Sequence, residues 1–117
     1  MAFPGTYNFN YYVGDTYQFR IYPKDADGNT FSLDAYTSAA FTIANKRGGG
    51  AGVTQINATA EIDTTTDSVL CTISPTKGRN LNAGTTYVYD IQITDNINIY
   101  TLLTGTITPT AEITGAV

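Results

Sequence analysis

Hydrophobic and polar residues alternate along most of this chain. Tyr7, Phe9 and Tyr11 fall on one side of an extended segment, with Asn8, Asn10 and Tyr12 on the other. Beyond a turn at Val13-Gly14-Asp15, Tyr17, Phe19 and Ile21 point one way, and Thr16, Gln18, Arg20 and Tyr22 the other. Side chains of a strand point alternately to its two faces, so period two in both segments predicts half-buried strands. Pro23 and the run Lys24 to Asn29 carry turn chemistry and interrupt the pattern. Phe31, Leu33 and Tyr36 are expected to cap the core from a short connecting segment. A strand from Ala39 to Asn45, with Phe41 and Ile43 inward, leads into Lys46-Arg47-Gly48-Gly49-Gly50-Ala51-Gly52, read as a mobile hairpin tip. Val53 to Ala60 and Ser68 to Ser74 predict two more strands, joined by the polar turn Asp63 to Asp67. Pro75 to Arg79 can make one helical turn. The last pair, Tyr87 to Thr94 and Ile99 to Thr108, flanks a turn at Asp95-Asn96, with Leu103, Gly105 and Ile107 inward. A glycine in mid-strand signals a bulge or a close approach of another backbone. The tail from Pro109 to Val117 is poor in core residues and is expected to be loose in the isolated chain.

About seven short strands at this spacing predict an all-β fold, a single antiparallel β-sandwich of immunoglobulin-like type spanning residues 1–117. The most specific signal is Leu81-Asn82-Ala83-Gly84-Thr85-Thr86-Tyr87. In sandwiches of this type, a tyrosine entering a strand after such a corner packs its ring in the core and returns its hydroxyl to backbone just upstream.

At 117 residues the chain is long enough to bury a core without a metal or disulfide. Cys71 is the single cysteine and lies in the apolar run Val69 to Ile73, so a buried structural thiol is expected, consistent with assembly in a reducing cytoplasm. Met1-Ala2-Phe3-Pro4-Gly5 has neither the basic nor the apolar region of a secretion signal. A net charge of −4 with six basic residues argues against nucleic acid and anionic membrane as partners. Only 14% of residues are charged, while nine Tyr and five Phe are present. That composition suits strands, and it also suits extensive protein contact.

The absence of histidine removes the commonest general base and metal ligand, and no catalytic residue, metal site or cofactor site is assigned. Asp90 is expected on the solvated face of its strand. Asp25-Ala26-Asp27-Gly28-Asn29 fails as a calcium loop, because Gly28 stands at position four and Tyr36 would stand at twelve. The glycines after Lys46-Arg47 fail as a phosphate loop, since the basic pair precedes them and a strand follows. Asn57-Ala58-Thr59 fits a glycosylation sequon, read as accidental without a secretion signal. Candidate contact residues are four. Lys46 and Arg47 form a basic arm toward an acidic neighbour, and outward Tyr12 and Tyr22 form an aromatic platform if they stand side by side.

The segment Tyr11 to Ile21 resembles the first hairpin of small immunoglobulin-like virion proteins of tailed bacteriophages. So do Ala83 to Thr94 and Tyr100 to Thr108, with a likeness to short structural proteins of cyanobacterial phages and to the N-terminal domain of baseplate upper proteins. The resemblance implies a virion structural protein without catalytic residues. Since the sequence stops after the sandwich, it suggests a capsid decoration (cement) protein on the shell exterior. Its partners would be the major capsid protein or neighbouring virion subunits, including copies of itself. A tail or baseplate component is the alternative, and a small carbohydrate-binding module a further one.

Overall fold

The computed structural model describes residues 4–48 and 52–113. Eight strands and one short helix follow in order: β1 (Gly5–Thr6), β2 (Phe9–Tyr12), β3 (Tyr17–Ile21), β4 (Ser38–Ala44), β5 (Gln55–Asp63), β6 (Ser68–Ile73), α1 (Pro75–Gly78), β7 (Tyr87–Thr94) and β8 (Ile99–Thr110). Hydrogen bonding runs β1-β8-β7-β4-β5-β6-β3, with β2 also paired to β8. This path curls into an all-β, sandwich-like fold. The strand β5 makes the corner: Gln55 to Ala58 pair with β4, and Thr59 to Asp63 pair with β6. Pairings of β3 with β6, and of β7 with β4 and β8, follow the order of an immunoglobulin-like sandwich.

The predicted faces hold along β7, where Tyr87, Tyr89, Ile91 and Ile93 are all buried and the residues between them are not. Phe41 and Ile43 on β4, Val69, Cys71 and Ile73 on β6, and Leu33 from the connecting segment complete the core with them. Phe31 and Tyr36 pack at its margin, 5.8 Å apart between ring centroids. At the centre, Phe19 and Tyr89 both meet Phe41, with centroids 5.8 and 5.5 Å away. Edge-to-face and tilted arrangements of this kind suit the aromatic quadrupole.

The N-terminal segments depart from the expected hairpin. Both stretches are extended, but β2 pairs in parallel with β8 (Phe9 opposite Ile107, Tyr12 opposite Thr110), while β3 pairs with β6. The turn at Gly14, where φ is +92°, therefore carries the chain from one sheet to the other. Alternation sets which side of a strand is buried, and both segments satisfy it equally well in this arrangement. It does not choose the partner.

Gly105 accounts for the parallel contact. A Cβ at this position would collide with the Tyr7 carbonyl, so its absence lets the N-terminal segment lie against β8. Tyr7 N donates to Thr104 O at 2.9 Å, Thr106 N to Asn8 Oδ1 at 3.0 Å, and the Tyr89 hydroxyl to Tyr7 O at 2.5 Å. The close approach is at Gly105, and the bulge lies two strand positions away, where the β7–β8 register shifts between Ile91 and Gln92. Leu102 is the extra residue there and is buried, which the alternation alone did not indicate.

The C-terminal segment is also more engaged than expected. Pro109 is buried and, with Thr110, belongs to β8 opposite Tyr11 and Tyr12. Val13 N donates to Thr110 O at 2.9 Å, and Glu112 pairs with Arg79 at 3.3 Å. The remainder of the expected tail, 114–117, and the loop residues 49–51 lie outside the described residues.

Candidate interaction surface

Helix α1 and the corner after it show how local sequence sets surface and core together. Ser74 caps α1 by accepting from Lys77 N at 3.2 Å, and Pro75 occupies the first turn, where its missing N–H costs nothing. The chain then turns through Gly84 at φ +89° into β7. There the Tyr87 hydroxyl accepts from Asn82 N at 2.9 Å, five residues upstream, with Leu81 buried beside the corner. A second tyrosine performs a similar task at the same end of the sandwich. The Tyr11 hydroxyl donates to Asp15 O at 2.6 Å, and its ring fills the space over Gly78 that a larger residue would need.

The outer face of the larger sheet (β1, β2, β8, β7, β4 and the first half of β5) is built mostly from short side chains. One cross-strand row reads Asn57, Thr42, Asp90, Thr104; the rows beside it read Ala44, Val88, Thr106 and Ala40, Gln92, Thr101. Asp90 is the sole charge in these rows and is half-buried between two threonines, so it is less solvated than its strand position suggested. Thr42 and Asn57 approach to 3.5 Å, and Gln92 donates to Thr101 Oγ1 at 3.4 Å.

Lys46 and Arg47 stand at the rim of this face. Asn45 fixes the base of their loop, donating from Nδ2 to Gly52 O at 2.8 Å and accepting from Thr54 N at 2.9 Å. The two basic residues thereby border a shallow basin of about 110 Å³ whose walls include Thr42, Gln55 and Asp90. Sites for drug-sized ligands usually span roughly 300–1,000 Å³, so this basin suits a side chain better than a small-molecule ligand. Lys46, Arg47 and Asp90 form no ion pair within the described residues.

Tyr12 and Tyr22 are exposed, 60% and 54%, as their strand positions predicted. They are not brought together. Tyr12 lies opposite Thr110 at one end of β8, beside Ala111 and Ile113, while Tyr22 shares a groove with Gly5, Pro23 and Leu102 near the other end. The shared aromatic platform is thus not formed, because Tyr12 adjoins the β2–β3 turn and Tyr22 follows the far end of β3.

A feature that the pattern did not reveal is the seam between the β1–β2 edge and β3. Stacking of Phe9 on Tyr17, 4.6 Å between centroids, closes part of it, and the hydroxyls of Tyr7 and Tyr17 meet at 2.6 Å. The remainder is an apolar groove of about 250 Å³ along Tyr7, Phe19, Ile21 and Leu103. Phe19 and Ile21 point inward as predicted but stay half-buried, since β3 has a hydrogen-bonded neighbour on one side alone. Only knowledge of strand order could have exposed this groove.

Reactive chemistry is muted in these surroundings. Burial pushes the Cys71 thiol up to about 12, far from the thiolate that would act as nucleophile or ligand. Burial, then the hydrogen bond with Tyr7, pushes Tyr17 up to about 12. Burial likewise raises Tyr89, foremost among its causes. No group of three or more Cys, Asp or Glu side chains suited to a metal ion occurs among the described residues. No helix there is long and apolar enough to cross a membrane. In comparisons with known proteins, no family model and no curated protein matches the sequence.

Proposed function

We propose that this chain is a structural protein of a tailed bacteriophage virion, a decoration protein that binds the capsid exterior and reinforces the assembled shell. The observation that carries the reading is the outer face of the larger sheet, built mostly from short side chains, with one charge among its central rows and a basic arm at its rim. Interface cores are depleted in charge, and short side chains such as Thr and Ala lose little rotamer freedom when covered. A face of this kind can lie against a broad protein surface while Lys46 and Arg47 engage an acidic neighbour. The likeness of the Tyr11–Ile21 and Ala83–Thr108 segments to phage virion proteins supplies the biological setting.

The mechanism is mechanical. A protein that binds assembled shell and not free subunits stabilises the assembly by mass action, and many weak copies on a lattice add their effects. Titration of undecorated shells with the chain tests this reading. Wild type is expected to saturate at one copy per repeated surface site and to raise the temperature of shell disassembly. A Thr42→Glu, Thr104→Glu double variant, with the fold intact, is expected to bind at least about tenfold more weakly, because unpaired charge is buried on docking. Equal binding by the variant would remove this face from the interface. Binding to purified tails and not to shells would move the protein to the tail or baseplate. The separation of Tyr12 from Tyr22 gives the carbohydrate reading no comparable support.

A further inference from the structure

The charges of this molecule are sorted along its strands. One end of the sandwich gathers the segment after β3, the β5–β6 turn and the β7–β8 turn, which register and contacts bring together: Ile21 pairs with Val69, Ser38 with Thr94, and Leu33 N donates to Asp67 Oδ1 at 3.1 Å. The other end gathers the β2–β3 turn, the β4–β5 loop and α1. Two ion pairs, Arg20–Asp63 and Arg79–Glu112, are internal to one end each. Apart from these, the first end holds Asp25, Asp27, Asp34, Asp67 and Asp95 against Lys24. The second holds Lys46, Arg47 and Lys77 against Asp15.

Five exposed apolar residues follow the same division, and Tyr7 lies at the seam between. Tyr22, Ile97 and Ile99 lie at the acidic end, and Tyr12 and Ile113 at the basic end; Ile97 is 88% and Ile113 95% exposed. At the basic end, Tyr12, Ala111 and Ile113 line an open groove of about 260 Å³ together with Asp15 and Glu112. Each end therefore combines exposed apolar residues with charge, and the net charges of the two ends are opposite. Turn chemistry explains part of the acidic end: Asp25, Asp67 and Asp95 accept backbone N–H bonds in their own loops or from a neighbouring one. No hydrogen bond is made by the side chains of Asp27 and Asp34, so turn closure does not account for them.

We propose that copies of this chain associate head to tail, the basic end of one docking on the acidic end of the next. Such a contact joins two different surfaces and propagates as a ring or a row. It shares Lys46 and Arg47 with the rim of the shell-binding face but does not require the virion reading to hold.

Sedimentation velocity over a concentration series tests this with the full chain. Wild type is expected to form larger species as concentration rises, and to lose them as salt increases from about 0.05 to about 0.5 M, since exposed charges are then screened. Lys46→Glu, Arg47→Glu and Asp27→Lys, Asp34→Lys are each expected to weaken association by more than about tenfold, with thermal unfolding unchanged. Among the described residues, neither pair makes a side-chain hydrogen bond or ion pair. The variant combining all four changes leaves the acidic end neutral and makes the basic end net negative, so it is expected to stay monomeric. A monomeric wild type at low salt and high concentration would overturn the proposal. So would association that survives either double reversal, or a fourfold variant that still associates.

Discussion

At the scale of single residues, the hydroxyl of Tyr87 and the missing side chain of Gly105 are the most exacting requirements. Tyr87→Phe keeps the buried ring and removes the acceptor for Asn82 N. It is expected to cost about 1 kcal/mol in urea unfolding, the usual net value of one intramolecular hydrogen bond. Gly105→Ala places a methyl group where the Tyr7 carbonyl lies. The expected loss is about 2 kcal/mol or more, because backbone must move to relieve the clash. Hydrogen exchange should then quicken first along Phe9–Tyr12. Tyrosine ionisation gives a pH signature. The hydroxyl pKa values of Tyr17 and Tyr89 are raised in the folded chain, so their neutral forms favour folding. That contribution is complete below the unfolded tyrosine value near 10 and is lost as pH rises through the higher folded values. Denaturant midpoints should fall from about pH 10 upward, less steeply in Tyr89→Phe. The Tyr87 corner was legible because leucine, glycine and tyrosine occur in a fixed local order. Gly105 was legible as an anomaly, while Tyr7, the residue it accommodates, is too far away in sequence to be inferred.

Among the elements, strand existence and facing were clear from alternation, whereas partnership was not. Residues Tyr7 to Ile21 look like a hairpin because two alternating segments flank a short turn, yet β2 and β3 join different sheets. Similarly, β5 reads as one strand but serves two partners, and its pairing extends to Asp63, beyond the expected end at Ala60. Burial of a face is a local property of the pattern, and strand order depends on contacts remote in sequence. The end of β8 offers a direct test. A chain ending at Thr108 would lose the pairing of Pro109 and Thr110 with Tyr11 and Tyr12, the Val13–Thr110 bond and the Arg79–Glu112 pair. Truncation is expected to cost about 2 to 4 kcal/mol, at about 1 kcal/mol for each lost backbone bond with added exposure of apolar surface. A loose tail would give no change.

For the whole molecule, function is a matter of surfaces that the sequence pattern describes only in part. Lys46 and Arg47 were identifiable as exposed cations beside glycines, but their position over Asp90 follows from the pairing of β4 with β5 and β7. Tyr12 and Tyr22 were correctly placed outside, and they stand apart because one adjoins the β2–β3 turn and the other the far end of β3. The threonine-rich face arises from outward residues of four adjacent strands, so no single segment carries its signature. A shell-binding role for that face makes a prediction about abundance. A protein that reinforces a capsid must be present at many equivalent sites, whereas a tail ring holds few copies. The most direct measurement is quantitative mass spectrometry on purified particles separated into heads and tails. Recovery with heads, at a stoichiometry comparable to the major shell protein, is the predicted result; recovery with tails at the copy number of a few rings, or absence from both fractions, would contradict it.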